Sequence, residues 1–496
     1  FEDLNIDFAP TAEKTGNVTV IVGNNGAGKS QILQALATGL SWFVNGLSNY
    51  DKVISVIKSE EHGFLESDEG QYIEQYQIMN NKGYSELELS FYDESIGMEV
   101  LNTNSTRKEI LVPASYVVQR TGFDKLIKVF SKNSQKSKDI SLPIVAYYPV
   151  NRGVILTPMD INEDSTTNQL TAYEDALKSS VSFETFFSWF REREDIENEK
   201  IASLKNRVAK LTDKYESLAE QFETLRIGFE EVNSGTNEEK NILTSELILR
   251  IESFISEQNK KLTPFSSKKF YDKHLRSVKK SIKTFTGLSN PKIRRQGTPT
   301  MIVEKNGEEL DVNQLSQGEK SLLALVGDIA RRLALLNPSL ENPLEGEGVV
   351  MIDEVDLHLH PKWQHDLIDK LVATFPNVQF ILTTHSPHVI SDRNDILLYS
   401  LDDGELTEMP NVYGEDANTV LTKIFDVDIR DSKVEEQFNV IRRAISKHDY
   451  LTAENYITEL AEKLPSDHLE LLKCRLLLAQ SKLANNDTDE SSHAED

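Results

Sequence analysis

The sequence predicts an α/β fold with a mixed, largely parallel sheet, on the strength of three strand-like segments that end in polar residues. The apolar run 18–22 precedes a glycine-rich loop, residues 23–30, and then a helical stretch. A second apolar run, 349–352, ends in two carboxylates, and a third, 381–384, ends in a histidine. Short apolar runs bounded in this way are typical of buried strands in a parallel sheet.

The glycine-rich loop fits the phosphate-binding pattern G-x-x-x-x-G-K-[ST] in its required strand–loop–helix context. Glycines let backbone N–H groups close on phosphate oxygens, and the helix N-terminus adds partial positive charge. We therefore predict that ATP is bound by Asn24, Asn25, Gly26, Ala27, Gly28, Lys29 and Ser30.

The second and third strands supply candidates for catalysis. Asp353 is predicted to bind Mg²⁺ together with the Ser30 hydroxyl, and Glu354 to polarise the attacking water. His385 follows the third strand, where it can reach the γ-phosphate. The cofactors predicted from these residues are ATP and Mg²⁺.

Between these motifs lies Leu-Ser-Gln-Gly-Glu-Lys, residues 315–320, followed by an apolar helix. With the phosphate loop and the carboxylates it resembles the signature motif of ABC-type ATPases, whose heads also occur in proteins of the OLD, RecF and SMC kind. The resemblance implies a homodimer or higher oligomer that sandwiches ATP. Ser316, Gly318 and Glu319 are then expected to complete the site of the opposite subunit.

Composition favours a cytoplasmic protein. The 496 residues carry a net charge of −26 and one cysteine, Cys474, so a disulfide framework is excluded. We find no apolar stretch of membrane-spanning length and no signal sequence at the start, which argues against an integral membrane protein.

The motifs divide the chain into five predicted regions. The two halves of the ATPase head are residues 1–185 and 291–410, separated by a helical insertion at 186–290. A helical docking region, 411–484, and a disordered acidic tail, 485–496, follow.

The insertion contains a heptad seam that predicts a short coiled-coil hairpin. The alternative is an ordinary amphipathic helix packed on the domain. The seam consists of Ile201, Leu204, Val208, Leu211, Tyr215, Leu218, Phe222 and Leu225.

Residues 260–295 form the one strongly basic stretch of this acidic chain, and they are a candidate contact for nucleic acid. The alternative is a solvated helix face that pairs with acids elsewhere. Its basic residues are Lys260, Lys261, Lys268, Lys269, Lys273, Arg276, Lys279, Lys280, Lys283, Lys292, Arg294 and Arg295. For Arg152, contact with phosphate and the anchoring of a loop remain equally open.

A narrower resemblance follows from the carboxylates. Residues 353–364 look like the DE-x-D-x-HLHP-x-WQ run of OLD-like and anti-phage ATPases. Residues 311–337 and 414–427 are similar to the PtuA-like ATPase subunits of Septu and retron defence systems. That resemblance implies a sensing and scaffolding role beside a PtuB-like HNH nuclease. In retrons it also implies a reverse transcriptase with its RNA template and multicopy single-stranded DNA (msDNA).

Two other functions remain possible at the level of sequence. One is a DNA-repair ATPase of the RecF or SMC kind, against which the short hairpin and the acidic chain count. The other is a self-contained nuclease, either OLD-like with a Toprim domain or of the HEPN type. The C-terminal third looks helical, which disfavours Toprim, and the R-x4-H spacing of Arg443 and His448 arises often by chance in charged helices.

Overall fold

The structure is a computed structural model, in which two compact units, Phe1–Tyr413 and Gly414–Asp496, are each described by themselves. The described residues are 4–11, 15–48, 84–93, 97–106, 116–119, 127, 130, 140–152, 169–178, 184–232, 249–251, 253, 256–257, 271–297, 299–425, 432–465 and 467–492.

Twelve strands and eleven helices are named here within those described residues. The strands are β1 (Val18–Gly23), β2 (Tyr84–Asp93), β3 (Gly97–Thr106), β4 (Tyr116–Gln119), β5 (Ile144–Tyr148), β6 (Ser289–Arg294), β7 (Thr300–Lys305), β8 (Glu308–Asp311), β9 (Gly348–Ile352), β10 (Val378–Thr383), β11 (Leu397–Asp402) and β12 (Glu405–Glu408). The helices are α1 (Lys29–Ser48), α2 (Glu184–Val232), α3 (Lys273–Thr286), α4 (Gln317–Leu336), α5 (Pro361–His365), α6 (Leu367–Thr374), α7 (Pro387–Ile390), α8 (Ala417–Ile424), α9 (Ser432–Ser446), α10 (Tyr450–Lys463) and α11 (Leu469–Ser492).

A six-stranded sheet in the order β12-β11-β1-β10-β9-β5 forms the centre of the first unit. Neighbouring strands from β11 to β5 are parallel, and only the edge strand β12 is antiparallel. Every residue of β1 and β5 is buried, as expected for strands covered on both faces. The predicted α/β fold with a mixed, largely parallel sheet is confirmed.

Helix α2 carries the predicted heptad seam and is longer than the seam requires. It runs for 49 residues, about 74 Å at the α-helical rise, and its first turns belong to the head because Phe186, Phe187, Trp189 and Phe190 are buried. Further along, Leu204 and Leu218 are exposed. Of residues 233–270, which follow the seam within the predicted insertion, the structure describes only 249–251, 253, 256 and 257, so the second arm of the predicted hairpin lies mostly outside the described residues. Within the described parts of the chain, no helix is both long and apolar enough to cross a membrane.

The end of the predicted insertion packs on the head. Helix α3 buries Leu275, Val278, Ile282 and Phe285 and packs against α4, while β6, β7 and β8 form a separate antiparallel sheet. Both ends of the predicted insertion, residues 186–290, therefore pack within the first unit.

Much of the described basic stretch is paired with acids, as its alternative interpretation proposed. Arg295 binds Glu194 at 3.0 Å and also Asp195, and Lys279 lies 3.6 Å from Glu194. The remaining pairs are Lys292 with Glu309 and Arg294 with Asp311. Lys260, Lys261, Lys268 and Lys269 lie outside the described residues.

The second unit has a core shared by α9, α10 and α11, centred on Phe438, Ile441, Leu460, Leu471 and Cys474. Helix α11 continues to Ser492, through most of the segment predicted to be disordered. Extending an existing helix fixes one residue for each added hydrogen bond, which costs far less than starting a new helix. Polar composition alone therefore placed the end of this helix too early.

Candidate nucleotide site

Three adjacent strands of the central sheet, β1, β10 and β9, end in the residues predicted to bind and cleave ATP, and Arg152 follows the next strand, β5. Strand β1 pairs in parallel with β10, β10 with β9, and β9 with β5. Carboxyl ends of parallel strands meet at one edge of a sheet, where α/β proteins bind their ligands. This edge, called the nucleotide edge below, carries the phosphate loop, His385, the pair Asp353–Glu354, and Arg152.

The phosphate loop has the backbone geometry that its glycines permit. Gly26 and Gly28 have φ values of 83° and 107°, which L-residues rarely adopt. Gly23 allows β1 to approach β11 closely, since a Cβ at this position would lie 2.1 Å from the Leu401 carbonyl oxygen. Asn24, Asn25, Gly26 and Ser30 are exposed, and α1 begins at Lys29, so the free N–H groups at this helix start suit a phosphate.

Lys29 is buried beside the loop. Its Nζ donates hydrogen bonds to the carbonyl oxygens of Gly23 at 2.9 Å and Asn24 at 3.0 Å. Burial lowers the pKa of Lys29, while the nearby carboxylates, chiefly that of Asp353, oppose the shift. A cation thus stands at the same edge as the acidic residues, which is the charge pattern that a nucleotide phosphate with a metal ion requires.

Thr383, at the end of β10, connects the two predicted catalytic carboxylates. Its Oγ1 donates to Asp353 Oδ1 at 2.5 Å and accepts from the Glu354 N–H at 2.7 Å. Asp353 is 1 % exposed, and its own N–H donates to the Tyr148 carbonyl at 2.9 Å. Glu354 is partly exposed, so the inner carboxylate is held in place and the outer one remains accessible.

Asp356, a residue without a predicted role, binds the chain at Thr384 and His385. The Thr384 hydroxyl donates to Asp356 Oδ1 at 2.6 Å, and the His385 N–H donates to the same oxygen at 3.4 Å. Burial and the charge of Lys29 lower the pKa of the His385 imidazole. The ring is therefore neutral at pH 7. The D-x-HLHP pattern was the available signal for Asp356.

The predicted signature residues contact one another and nearby residues of the same chain. Ser316 caps α4: its Oγ accepts from the Glu319 N–H and donates to Glu319 Oε2 at 2.9 Å. Glu319 also binds Lys305 at 2.6 Å, and a Cβ on Gly318 would lie 2.3 Å from the His358 carbonyl oxygen. The described contacts of these three residues are thus with one another, Lys305 and His358, rather than with the phosphate loop.

A buried polar cluster connects the helix of the signature motif to β5. Asp328 on α4 accepts from Tyr148 Oη at 2.9 Å, Arg331 Nε at 2.8 Å and Arg332 Nε at 2.7 Å. Burial alone would raise the pKa of Asp328, but the two guanidinium groups hold it well below its usual range. Since these charges lie in an otherwise apolar helix, sequence periodicity gave no signal for the cluster.

The R-x4-H spacing does not form a helical pair. Arg443 lies in the last turn of α9, which ends at Ser446. His448 lies beyond that end with a left-handed backbone, φ 59°, and its Nδ1 shares a hydrogen bond of 2.9 Å with Tyr450 Oη. The two side chains therefore do not stand one turn apart on a single helix.

Comparison with known proteins identifies the family of the chain. The family model described as "AAA domain, putative AbiEii toxin, Type IV TA system" matches residues 18–391, from the start of β1 to just beyond α7. The chain is 32 % identical over 477 residues to the Retron Ec83 probable ATPase of Escherichia coli, covering 94 % of this chain and 80 % of that protein.

Two further relatives point the same way. The Retron Vc95 probable ATPase of Vibrio cholerae serotype O1 biovar El Tor is 35 % identical over 394 residues, covering 76 % of this chain and 67 % of that protein. The Septu protein PtuA of Bacillus thuringiensis is 31 % identical over 141 residues, covering 27 % of this chain and 36 % of that protein. The chain therefore belongs to this AAA-domain family of ATPases and is a homologue of retron and Septu ATPases.

Proposed function

We propose that this chain is the ATP-binding and ATP-hydrolysing subunit of a bacterial anti-phage defence complex in the cytoplasm. The observation that carries the proposal is the nucleotide edge, where Lys29, Asp353, Glu354 and His385 follow three adjacent parallel strands. Membership of the family and the retron and Septu relatives support the defence context.

Each group at the edge has a distinct role. Lys29 and the loop N–H groups bind the phosphates, and Glu354 orients the attacking water as general base. The donor set of Ser30 and Asp353 suits Mg²⁺, a hard cation that prefers oxygen ligands and that would neutralise phosphate charge there. The neutral His385 imidazole contacts the γ-phosphate.

The complete site is shared between two copies of the chain. Ser316 stands at the start of α4, where its Oγ is hydrogen-bonded to Glu319, and Gly318 lies against the His358 carbonyl, so their described contacts are not with the phosphate loop. The exposed Ser316 hydroxyl can contact the nucleotide of a second subunit, with Gly318 buried behind it, as in the ABC-type ATPases that the chain resembles. The proposed assembly is a homodimer or a higher oligomer.

A partner HNH nuclease, PtuB-like, docks on the second unit. The support is the outer face of α11, defined here as Leu469, Leu472, Leu476 and Leu483, which are 65 %, 44 %, 60 % and 66 % exposed. Their spacings of three, four and seven residues follow a heptad seam, while Leu471, Cys474 and Leu478 bury the opposite face. A helix that is apolar on two opposite faces requires a packing partner for each face.

Nucleic acid contacts the first unit at the exposed basic face of α3, defined here as Lys273, Arg276, Lys280 and Lys283. These residues are spaced by three, four and three positions, so they lie along one side of the helix. In a retron, the bound species would be the msDNA or the template RNA of the reverse transcriptase, and the restrained toxin would be the nuclease.

The experiment that tests the proposed function compares two variants of the purified chain. Glu354→Gln should bind ATP as the parent does but hydrolyse it about 10²–10⁴-fold more slowly, the usual scale of a general base. Lys29→Ala should weaken binding itself, measured with a fluorescent ATP analogue. Hydrolysis by Glu354→Gln at the parental rate would contradict the proposal.

A nuclease assay tests the division of labour in the complex. The chain alone should leave DNA and RNA intact, and deletion of residues 434–496 should release the nuclease while ATP binding persists. Cleavage by the lone chain that disappears in His448→Ala would contradict this division and favour a HEPN-type ribonuclease.

A further inference from the structure

Arg152 holds two consecutive peptide carbonyls at the nucleotide edge. Its Nη1 donates to the Asp353 carbonyl oxygen at 2.5 Å and to the Pro149 carbonyl at 3.2 Å, and its Nη2 donates to the Glu354 carbonyl at 2.6 Å. The side chain is 5 % exposed. Both terminal nitrogens therefore donate to backbone carbonyl oxygens, and none of these three hydrogen bonds is with a carboxylate side chain.

The backbone that Arg152 holds is strained. Glu354 has a φ of 45°, in the left-handed region, which costs an L-residue on the order of 1–3 kcal/mol and persists only where neighbours enforce it. Two neighbours do so here. Thr383 accepts the Glu354 N–H from the β10 side, and Arg152 donates to the Glu354 carbonyl from the β5 side.

The strained turn determines where the catalytic carboxylate stands. In a continuing strand, successive side chains point to opposite faces of the sheet. Strand β9 ends at Ile352, and the left-handed backbone of Glu354 follows Asp353 directly, which leaves Asp353 buried and Glu354 partly exposed at the same edge. The turn thus allows adjacent residues to hold a cation and a water molecule separately.

We propose that Arg152 is a positioning residue for ATP hydrolysis, which enforces the left-handed backbone of Glu354 and thereby aims its carboxylate at the attacking water. The proposal rests on the role proposed above for Glu354. A planar guanidinium suits this task because its two terminal nitrogens donate from separate, rigidly fixed positions, whereas the three donors of an ammonium all leave one atom on a flexible stem.

The test uses Arg152→Lys, which keeps the charge, and Arg152→Met, which keeps the bulk without a donor. A catalytic group misplaced by about 1 Å loses on the order of 10²-fold in rate, so we expect single-turnover hydrolysis to fall by that factor in Arg152→Met. Arg152→Lys should lie between it and the parent. Affinity for ATP and for ADP should change by less than about threefold, because a positioning residue affects the transition state rather than binding.

A double mutant separates positioning from direct contact with phosphate. Without the Glu354 carboxylate there is nothing left to aim, so adding Arg152→Lys to Glu354→Gln should leave the residual rate unchanged. If Arg152 touches the γ-phosphate instead, the losses will multiply and ATP affinity will fall more than ADP affinity. If Arg152 only supports the fold, binding and melting temperature will fall together with the rate. Either result would overturn the proposal.

The outcomes also separate this inference from the proposed function. Parental hydrolysis by Glu354→Gln would remove the proposed function and the positioning role together. Slow hydrolysis by Glu354→Gln, with parental hydrolysis by Arg152→Lys and Arg152→Met, would overturn the positioning role alone. Should Arg152→Met fail to fold, Arg152→Lys still gives the rate, the affinities and the double-mutant comparison.

Discussion

The nucleotide edge of the first unit and the outer face of α11 in the second are built on opposite principles. At the edge, Asp353, Thr383 and Arg152 are buried, and each is held by hydrogen bonds within the chain. On α11, Leu472 and Leu476 expose about half of their surface. Substitutions at the nucleotide edge should therefore change ATP binding, ATP hydrolysis or folding stability. Substitutions on the outer face of α11 should change only the affinity for a partner protein.

We expect the largest loss of stability at Asp328, in the buried polar cluster that connects α4 to β5. Asp328→Asn leaves Arg331 and Arg332 without their shared carboxylate, and losing one partner of a buried ion pair costs about 3–5 kcal/mol of unfolding free energy. Urea unfolding measures this loss. The matched control is Asp366→Asn, whose side chain is 67 % exposed and 3.9 Å from Lys370, where a loss below about 1 kcal/mol is expected.

The pH dependence of the same variant follows from the sign of the shift. The folded-state pKa of Asp328 is depressed, so its contribution is complete above the unfolded value of about 4 and is lost only as pH falls towards the folded value. The difference between parent and Asp328→Asn should therefore stay constant from pH 5 to 8. A difference that shrinks within this range would contradict the buried ion pair.

The outer face of α11 should give a large effect on association and almost none on catalysis. Leu472→Gln with Leu476→Gln removes two apolar contacts from the proposed docking surface, and contacts of this kind carry about 2 kcal/mol or more each, or roughly 30-fold in affinity. Retention of the nuclease is measured by co-purification from cells expressing both proteins. ATP hydrolysis should be unchanged.

The control for this surface is Leu204→Gln on α2, a leucine that is 40 % exposed in the first unit. It should retain the nuclease. Retention by the α11 variant as well would mean that the outer face of α11 is not the dock.

A smaller effect is expected where basic residues are exposed rather than paired. Lys280→Gln with Lys283→Gln should weaken binding of single-stranded DNA and reduce the slope of log affinity against log salt by about 1–2. The control is Lys292→Gln with Arg294→Gln, which changes the net charge equally in residues already bound to Glu309 and Asp311. Equal losses in both variants would show that only overall charge matters.

The same contrast explains what the sequence could predict. The buried strands at residues 18–22, 349–352 and 381–384, with Asp353, Glu354 and His385 directly after them, could be predicted from short apolar runs that end in fixed motifs, but the order of the strands in the sheet could not. Arg152, Thr383 and Asp328 make hydrogen bonds to residues 29 to 202 positions away, and no local pattern encodes such pairings. For the basic stretch the sequence left two interpretations open, and four of its eight described basic residues pair with acids on α2 and β8.

The exposed leucines of α11 could not be predicted from the sequence for a different reason. A helix with leucines on two faces has no single apolar side, so periodicity cannot separate the buried residues Leu471 and Leu478 from the exposed residues Leu472 and Leu476. Only the packing of α9 and α10 against one face distinguishes them.

The central claim is that one nucleotide site is assembled from two chains, and mixing two inactive variants tests it most directly. Lys29→Ala removes the phosphate lysine, and Ser316→Arg blocks the signature end. Ser316 is preferred to Gly318 because a side chain on Gly318 would meet the His358 backbone of its own chain. Loss of the Ser316 cap costs about 1 kcal/mol, too little to unfold the head.

Each variant alone should be inactive. After exchange of subunits at equal amounts, half of the dimers contain one chain of each kind and one intact site, so ATP hydrolysis should recover to about one quarter of the parental rate. The recovery should peak at equal amounts and vanish at either extreme of the titration. A mixture that stays inactive at every ratio, although sizing shows that the subunits have exchanged, would contradict a shared site.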